Sequence, residues 1–320
     1  MSKKRKKLRL RNEIKVALVV LVILVIAIIY GVDKYKEYKY HQTYEYKLLE
    51  HNYSKDEVAT ILDKLDNDYI DKLLETTYNE NLVKFLNEKY FIKNNLDRYL
   101  EYYKKNNKLE ISKVVALINT NRDNNLYENT KATDTSKDIL MLVNKYNYLS
   151  EDYVPENLVN VSSSYAYAGN IVREDVLKAF MEMANVARNE DIVLIINSSY
   201  RSYQDQDEIW NYRKLLYGTE KADSFAARAG YSEHQTGLSI DIAQFNSREE
   251  DFENTPAFNW LSDNAYKYGF ILRFKKDAED ITGYEYESWH YRYVGVDVAT
   301  KIHDENITYD EYYAYYIENN

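Results

Sequence analysis

A chain of 320 residues, 45% of them hydrophobic, has room for a membrane anchor, a small domain and one enzyme-sized domain. It contains no cysteine, which excludes disulfides and thiolate catalysis without fixing the compartment. The net charge of −10 is unevenly spread: residues 1–15 carry +7 and the remainder −17, so the folded part does not have the basic surface of a nucleic-acid binder.

The basic residues 1–15 lead into 16–32, 17 uncharged and mostly apolar residues at the short end for a membrane-spanning helix. A cleaved signal peptide begins the same way, but no small-x-small cleavage site comes after it; the chain continues Asp33-Lys34-Tyr35-Lys36-Glu37. The expectation is an uncleaved, single-pass signal anchor, with 1–15 in the cytoplasm and the catalytic domain on the extracellular side of the cell membrane. Residues 33–108 read as a polar stalk over 33–42 and then a helical spacer. Ser54 followed by Glu57 is a capping-box signature, and Val58, Ile61, Leu62 and Leu65 recur at helical spacing. Similar runs are Leu82, Phe85 and Leu86, then Leu96, Tyr99 and Leu100. The spacing leaves open whether this region docks on a partner outside the membrane or only positions the domain that follows.

The character changes from 109, and 109–320 is expected to form one domain with its lead-in. The runs 111–118 and 139–143 read as strands, and 173–188 as an amphipathic helix with Val176, Leu177, Phe180, Met183, Ala184 and Ala187 on its apolar face. A buried strand over 192–196 is followed by a helix over 203–216 and a helical piece over 220–229. A helix over 256–268, strands over 270–273 and 289–294, and closing helices over 295–304 and 308–316 complete the reading. The fold class expected is α+β: a small, mostly antiparallel sheet with surrounding helices carrying a zinc site, preceded by the transmembrane helix and the small helical region.

Two stretches carry the chemistry. Ser232-Glu233-His234-Gln235-Thr236-Gly237-Leu238-Ser239-Ile240-Asp241 offers a histidine and an aspartate seven positions apart, and Glu287-Ser288-Trp289-His290 adds a second histidine and a glutamate. A catalytic zinc typically has three protein ligands and an open position, and without cysteine those ligands must be nitrogen and oxygen. We read His234, Asp241 and His290 as the three ligands of one Zn2+ and Glu287 as the base beside it. Gly237 permits a tight turn after His234; Leu238, Ile240 and Ile242 then share one strand face, and Ser239 and Asp241 the other. Glu287 and His290, three apart, lie on opposite faces of a straight strand, so a turn around Ser288 is required. On spacing alone, His290 is equally a core histidine beside Trp289. His303 reads as a surface or packing residue.

The segments SEHQTGLSIDI, YGFILRF and EDITGYEYESWHYRYVG, with the upstream SSYRSYQDQ and the lead-in ILMLVNKYNYLSEDYVPENLV, resemble the VanY-type D-alanyl-D-alanine carboxypeptidase family, which includes L,D-carboxypeptidases that trim cell-wall peptides. The resemblance covers roughly 138–313. It implies zinc-dependent removal of the C-terminal D-alanine from peptidoglycan stem peptides. A free carboxylate calls for arginine, whose planar fork pairs with it in bidentate geometry, and Arg201 is the candidate, with a structural salt bridge as the other reading. By resemblance Arg201 contacts substrate or stabilises the transition state, Gln206 and Ser232 line the pocket, and Tyr200, Ser239 and Trp289 complete its walls. Two positions depart from the family pattern: Ala229 and Ser288 stand where many members have proline. A related endopeptidase or dipeptidase, and a wall-binding protein without catalysis, are the competing functions. Neither D,D- versus L,D-specificity nor oligomeric state is legible.

Overall fold

The computed structural model describes residues 11–245 and 249–318, so most of the basic segment 1–15 lies outside the described residues. The chain divides into two compact units, residues 1–93 and 94–320.

In the first unit, α1 (Asn12–His41) is 30 residues long, has no buried residue, and is long and apolar enough to cross a membrane. It runs straight through the expected stalk, where neither glycine nor proline interrupts it and Lys34 pairs with Glu37 at 2.7 Å. Four short helices come after it: α2 (Tyr44–Glu50), α3 (Lys55–Lys64), α4 (Asn67–Leu74) and α5 (Leu82–Leu86). The capping box forms as the sequence requires, with Ser54 N donating to Glu57 Oε2 at 2.7 Å and Glu57 N to Ser54 Oγ. Leu48, Val58, Ile61, Ile70, Leu82, Phe85 and Leu86 are buried, whereas Leu62 faces solvent.

The second unit opens with α6 (Leu96–Lys105) packed on α7 (Ile111–Asn119). The contact boundary therefore falls before α6, earlier than the boundary at 109 expected from composition. The expected strand over 111–118 is a helix: its nearly continuous apolar run is buried on all sides, from Val114 to Asn119, and such a run carries no period that separates helix from strand. The expected strand over 139–143 is also replaced. A 3-10 segment (Thr135–Leu140) ends there, and Met141, Leu142 and Val143 come next, buried but outside any ladder among the described residues.

Two short ladders come next: β1 (Lys131–Ala132) parallel to β2 (Asn147–Tyr148), and β3 (Leu158–Asn160) antiparallel to β4 (Ile171–Arg173). Then come α8 (Glu174–Arg188), β5 (Leu194–Ser198), α9 (Tyr203–Tyr217), α10 (Thr219–Phe225), β6 (Ser239–Gln244), α11 (Pro256–Asn264), β7 (Phe270–Leu272), α12 (Glu279–Thr282), β8 (His290–Tyr293), α13 (Val296–Glu305) and α14 (Tyr309–Tyr313). The principal sheet has the order β5-β6-β8-β7 and is antiparallel throughout, in agreement with the expected α+β class.

This sheet has two different faces. One carries Leu194, Ile196, Ile240, Ile242, Phe270 and Tyr291, which join Phe180, Met183, Ala184 and Ala187 of α8 and Trp260 and Leu261 of α11 in the main core. Each large side chain buried there contributes about 1.5–3 kcal/mol. The other face carries Ser239, Asp241, His290 and Arg292, all buried although polar. Register puts them side by side: Ser239 is opposite Arg292, and Asp241 is opposite both His290 on β8 and Ser198 on β5.

Candidate metal centre and active site

Each element delivers its side chain for a local reason. His234 sits on a 3-10 turn (Glu233–Thr236) capped by Ser232, whose Oγ accepts from His234 N at 3.3 Å. Gly237 ends the turn at φ +67, a left-handed conformation that favours glycine at the reversal into β6, and a Cβ there would lie 3.0 Å from the Leu158 Cδ2 tip. On the second stretch, His290 N bonds back to Glu287 O at 3.4 Å across a turn at Ser288 and Trp289. That turn brings Glu287 and His290 to the same side, as their spacing requires.

The three expected ligands converge. One ligand atom from each of His234, Asp241 and His290 lies within 4.8 Å of the others, and all three residues are buried. His234 Nδ1 is 2.7 Å from Ser199 O; a carbonyl can only accept, so Nδ1 carries the proton and Nε2 faces the cluster, 3.5 Å from Asp241 Oδ1. Asp241 Oδ1 is 3.1 Å from His290 Nδ1, and Glu287 Oε2 is 3.7 Å from the same nitrogen. His290 Nε2 points the other way, buried and without a hydrogen-bond partner, with Glu233 Oε2 at 3.6 Å. Two imidazole rings and one carboxylate, with one ring already oriented by a backbone carbonyl, fit a catalytic zinc.

The buried cluster shifts the two histidines in opposite directions. Burial, aided by the Arg201 charge, depresses the His234 pKa to about 4, so this ring is neutral and ready to ligate at physiological pH. Burial also works against the charged form of His290, but Asp241 and Glu233 outweigh it and raise its pKa to about 9. Burial opposes ionisation of Asp241 too, and His234, His290 and Arg201 reverse that, holding it well below the usual carboxylate range.

A cavity of about 510 Å³ opens beside the cluster, lined by Arg201, Gln206, Ser232, Glu287 and Trp289 together with the three ligands. Arg201 is not positioned as a free fork. Its Nε and Nη2 both reach Ser198 Oγ, Nη2 also donates to Asp241 Oδ2 at 3.0 Å, and Nη1 reaches Gln206 Oε1 at 3.4 Å. It thus holds Asp241 in place while lining the cavity. Gln206 is in turn fixed by donating to Ala227 O at 2.8 Å.

Two expected wall residues are elsewhere. Ser239 is fully buried, and its hydroxyl donates to Glu233 Oε2 at 3.2 Å; it shares a face with Asp241 but lies beneath Glu233, out of the cavity. Tyr200 is half-buried and absent from the lining, because its backbone N bonds Ile171 O and draws that stretch toward β4. His303 is partly exposed and stacks on Tyr266 with ring centroids 3.8 Å apart, a packing role.

The sequence reading missed the support under the ligands. Glu233 Oε1 accepts from Arg273 Nε at 2.8 Å and Arg292 Nη1 at 3.0 Å, and Arg273 continues to Asp310 at 2.6 Å. All four are buried, and although burial opposes ionisation of Glu233, the two arginines keep it an anion. A signal existed for Arg292: two positions after His290, it shares that residue's strand face.

The similarity to known proteins lies in this unit. The family model VanY, D-alanyl-D-alanine carboxypeptidase, matches residues 169–296. YodJ of Bacillus subtilis, described as a candidate carboxypeptidase, is 42% identical over 187 residues, 55% of this chain and 67% of that protein. A D-alanyl-D-alanine carboxypeptidase of Enterococcus faecalis is 32% identical over 58% of this chain and 71% of its own length. Among solved structures, the LD-carboxypeptidase LdcB, which recognises peptidoglycan, superposes with a TM-score of 0.55 at 38% identity, covering 59% of this chain and 91% of its own. This chain belongs to the VanY family of D-alanyl-D-alanine carboxypeptidases.

Proposed function

We propose that this chain is a zinc-dependent D,D- or L,D-carboxypeptidase that hydrolyses the C-terminal D-alanine from peptidoglycan stem peptides, with α1 as a single-pass anchor and the second unit outside the cell. The observation that carries the reading is the convergence of His234, Asp241 and His290 on one buried spot with Glu287 beside it. The likeness to D-alanyl-D-alanine carboxypeptidases and to a peptidoglycan-recognising LD-carboxypeptidase supports the substrate class. The domains proposed are 16–32 as the span, 33–108 as stalk and spacer, and 109–320 as the enzyme with its lead-in.

When bound by His234, Asp241 and His290, zinc would acidify a water and polarise the scissile carbonyl. Every other task falls to side chains. Of the carboxylates near the cluster, Glu233 is committed to two arginines and Ser239, and Asp241 to Arg201 and the two histidines. Glu287 lines the cavity with its Oε2 3.7 Å from His290 Nδ1, and it takes the proton from the attacking water and returns it to the leaving amine. Arg201 orients Asp241 and offers its charge to the substrate carboxylate or the developing oxyanion. Ser232, Gln206 and Trp289 shape the pocket for a small terminal residue.

Product analysis on defined tetra- and pentapeptide stems with added zinc tests the reading. Release of terminal D-alanine is the expected result. Internal cleavage would assign an endopeptidase, and binding without products would remove the catalytic reading.

A further inference from the structure

Lys145, in the lead-in stretch just before β2, is completely buried. Among the described residues no carboxylate lies within ion-pair distance of it. Its Nζ donates instead to two backbone carbonyls, Asp223 O and, at 2.6 Å, Gly283 O. The ammonium also sits 4.0 Å from the centroid of the Tyr284 ring, a cation–π contact, with the Tyr127 ring further off at 5.7 Å. Burial is the main influence on this group and pushes its pKa down to about 7.

Folding by itself does not call for a cation here. A buried charge is costly to desolvate, and an apolar side chain of similar length is often tolerated equally well or better. What the ammonium does is tie together two parts of the active-site wall. Gly283 ends α12 at φ +79 and begins the segment that leads to Glu287. That segment is pinned at three points: Gly283 O by Lys145, Glu285 N by Ser224 O at 2.7 Å, and Glu287 N by Phe274 O at 3.1 Å. The Asp223 carbonyl that shares Lys145 immediately precedes Ser224, so the first two pins act on one junction between α10 and the Glu287 segment.

We propose that Lys145 is a positioning residue for the reaction: by bridging the Asp223 and Gly283 carbonyls it fixes the course of the chain that delivers Glu287 to the site. The proposal rests on the assignment of Glu287 as the base. Replacing the lysine by methionine fills the space and keeps contact with the Tyr284 ring, but it removes every donor.

The test is a double-mutant cycle on the full chain, with D-alanine release measured at saturating zinc. Lys145→Met should lower kcat tenfold or more, leave KM and zinc affinity within threefold, and have less than a twofold effect when added to Glu287→Ala. A Lys145→Met protein with wild-type kcat, or one whose effect persists undiminished in the Glu287→Ala background, overturns the proposal. A loss of thermal stability with unchanged kcat well below the melting temperature has the same consequence, because it marks a merely structural lysine. If Lys145→Met does not fold, Lys145→Gln, whose shorter neutral amide reaches one carbonyl at most, is read by the same criteria. A fully active Glu287→Ala protein would instead sink the assignment of the base, so the two failures are distinguishable.

Discussion

Replacing Glu287 by glutamine tests the proposed chemistry most directly, because it keeps the shape and removes only the basic oxygen. Glu287 Oε2 lies 3.7 Å from His290 Nδ1, and its side chain retains 13% exposure at the cavity wall. No neighbour can substitute. Glu233 has one oxygen on two arginines and the other on Ser239, Asp241 is held by Arg201, and Glu285 is tied to Lys221 and Ser224. A positioned general base contributes about 10²–10⁴-fold, which at 1.36 kcal/mol per decade is about 3–5 kcal/mol of transition-state stabilisation. The loss should appear in kcat, with KM changed little, since a glutamine fills the same volume. The assay is release of D-alanine from a stem tetrapeptide and pentapeptide, normalised to zinc content per protein. A Glu287→Gln protein that is fully zinc-loaded and turns over within threefold of wild type refutes the assignment.

Three more predictions come from contacts around the same cluster. Arg201→Lys keeps a charge but cannot hold Ser198 Oγ and Asp241 Oδ2 in one planar group; kcat/KM should fall about 10–100-fold, and zinc affinity should weaken measurably in competition with a chromophoric chelator. Unchanged values would reassign the arginine to a structural pair. Zinc added to the metal-free protein at pH 7.5 should release at least one proton, because the raised pKa of His290, about 9, keeps that ring protonated until the metal displaces it. A calorimetric series in buffers of different ionisation enthalpy reads this directly, and zero release contradicts it. Arg273→Met leaves Glu233 and Asp310 with one buried partner fewer, so unfolding in urea should show a loss of about 3–5 kcal/mol; a loss below 1 kcal/mol would mean the network relaxes freely.

Much of the active site was legible because its ligands sit on elements with clear local rules. Gly237 marked the reversal after His234, and the alternation of Leu238, Ile240 and Ile242 against Ser239 and Asp241 assigned the faces of β6. The three-residue gap from Glu287 to His290 demanded the turn that the structure has. Where the reading failed, the deciding contact was distant. Ser239 obeys the alternation and still misses the cavity, because Glu233 caps it from a different element. The 111–118 run is apolar enough for either a helix or a strand, and its packing against α6 settled the matter. Glu233, Arg273 and Asp310 were assigned no role, since nothing in one sequence shows that residues 40 and 37 positions apart will pair in the interior.

The same cluster sets an expectation for the metal-free protein as a function of pH, and the two histidines act with opposite signs. His234, near 6.5 when unfolded and about 4 when folded, makes the unfolded chain the better proton acceptor between those values, so stability falls as pH drops from about 6.5 toward 4. His290, near 6.5 unfolded and about 9 folded, makes the folded protein the better acceptor; its contribution is complete below 6.5 and is lost as pH rises through 9. Each contribution is on the order of 3 kcal/mol, but above pH 7 that of His290 is offset by Lys145, about 7 folded and near 10.5 unfolded, which stabilises as pH rises, so the His290 limb is read as the difference between wild type and His290→Phe. Denaturant titrations of chelator-treated protein from pH 4 to 9.5 would trace the curve. In His290→Phe stability should rise above pH 7, where wild type is nearly level, while the acid limb remains. Zinc-saturated protein should follow His290→Phe above pH 7, since both rings are then held neutral by the same ion. If wild type and His290→Phe keep a constant stability difference between pH 6.5 and 9, His290 is not gathering the charge of Asp241 and Glu233, and the cluster is not the pre-formed cation site its geometry describes.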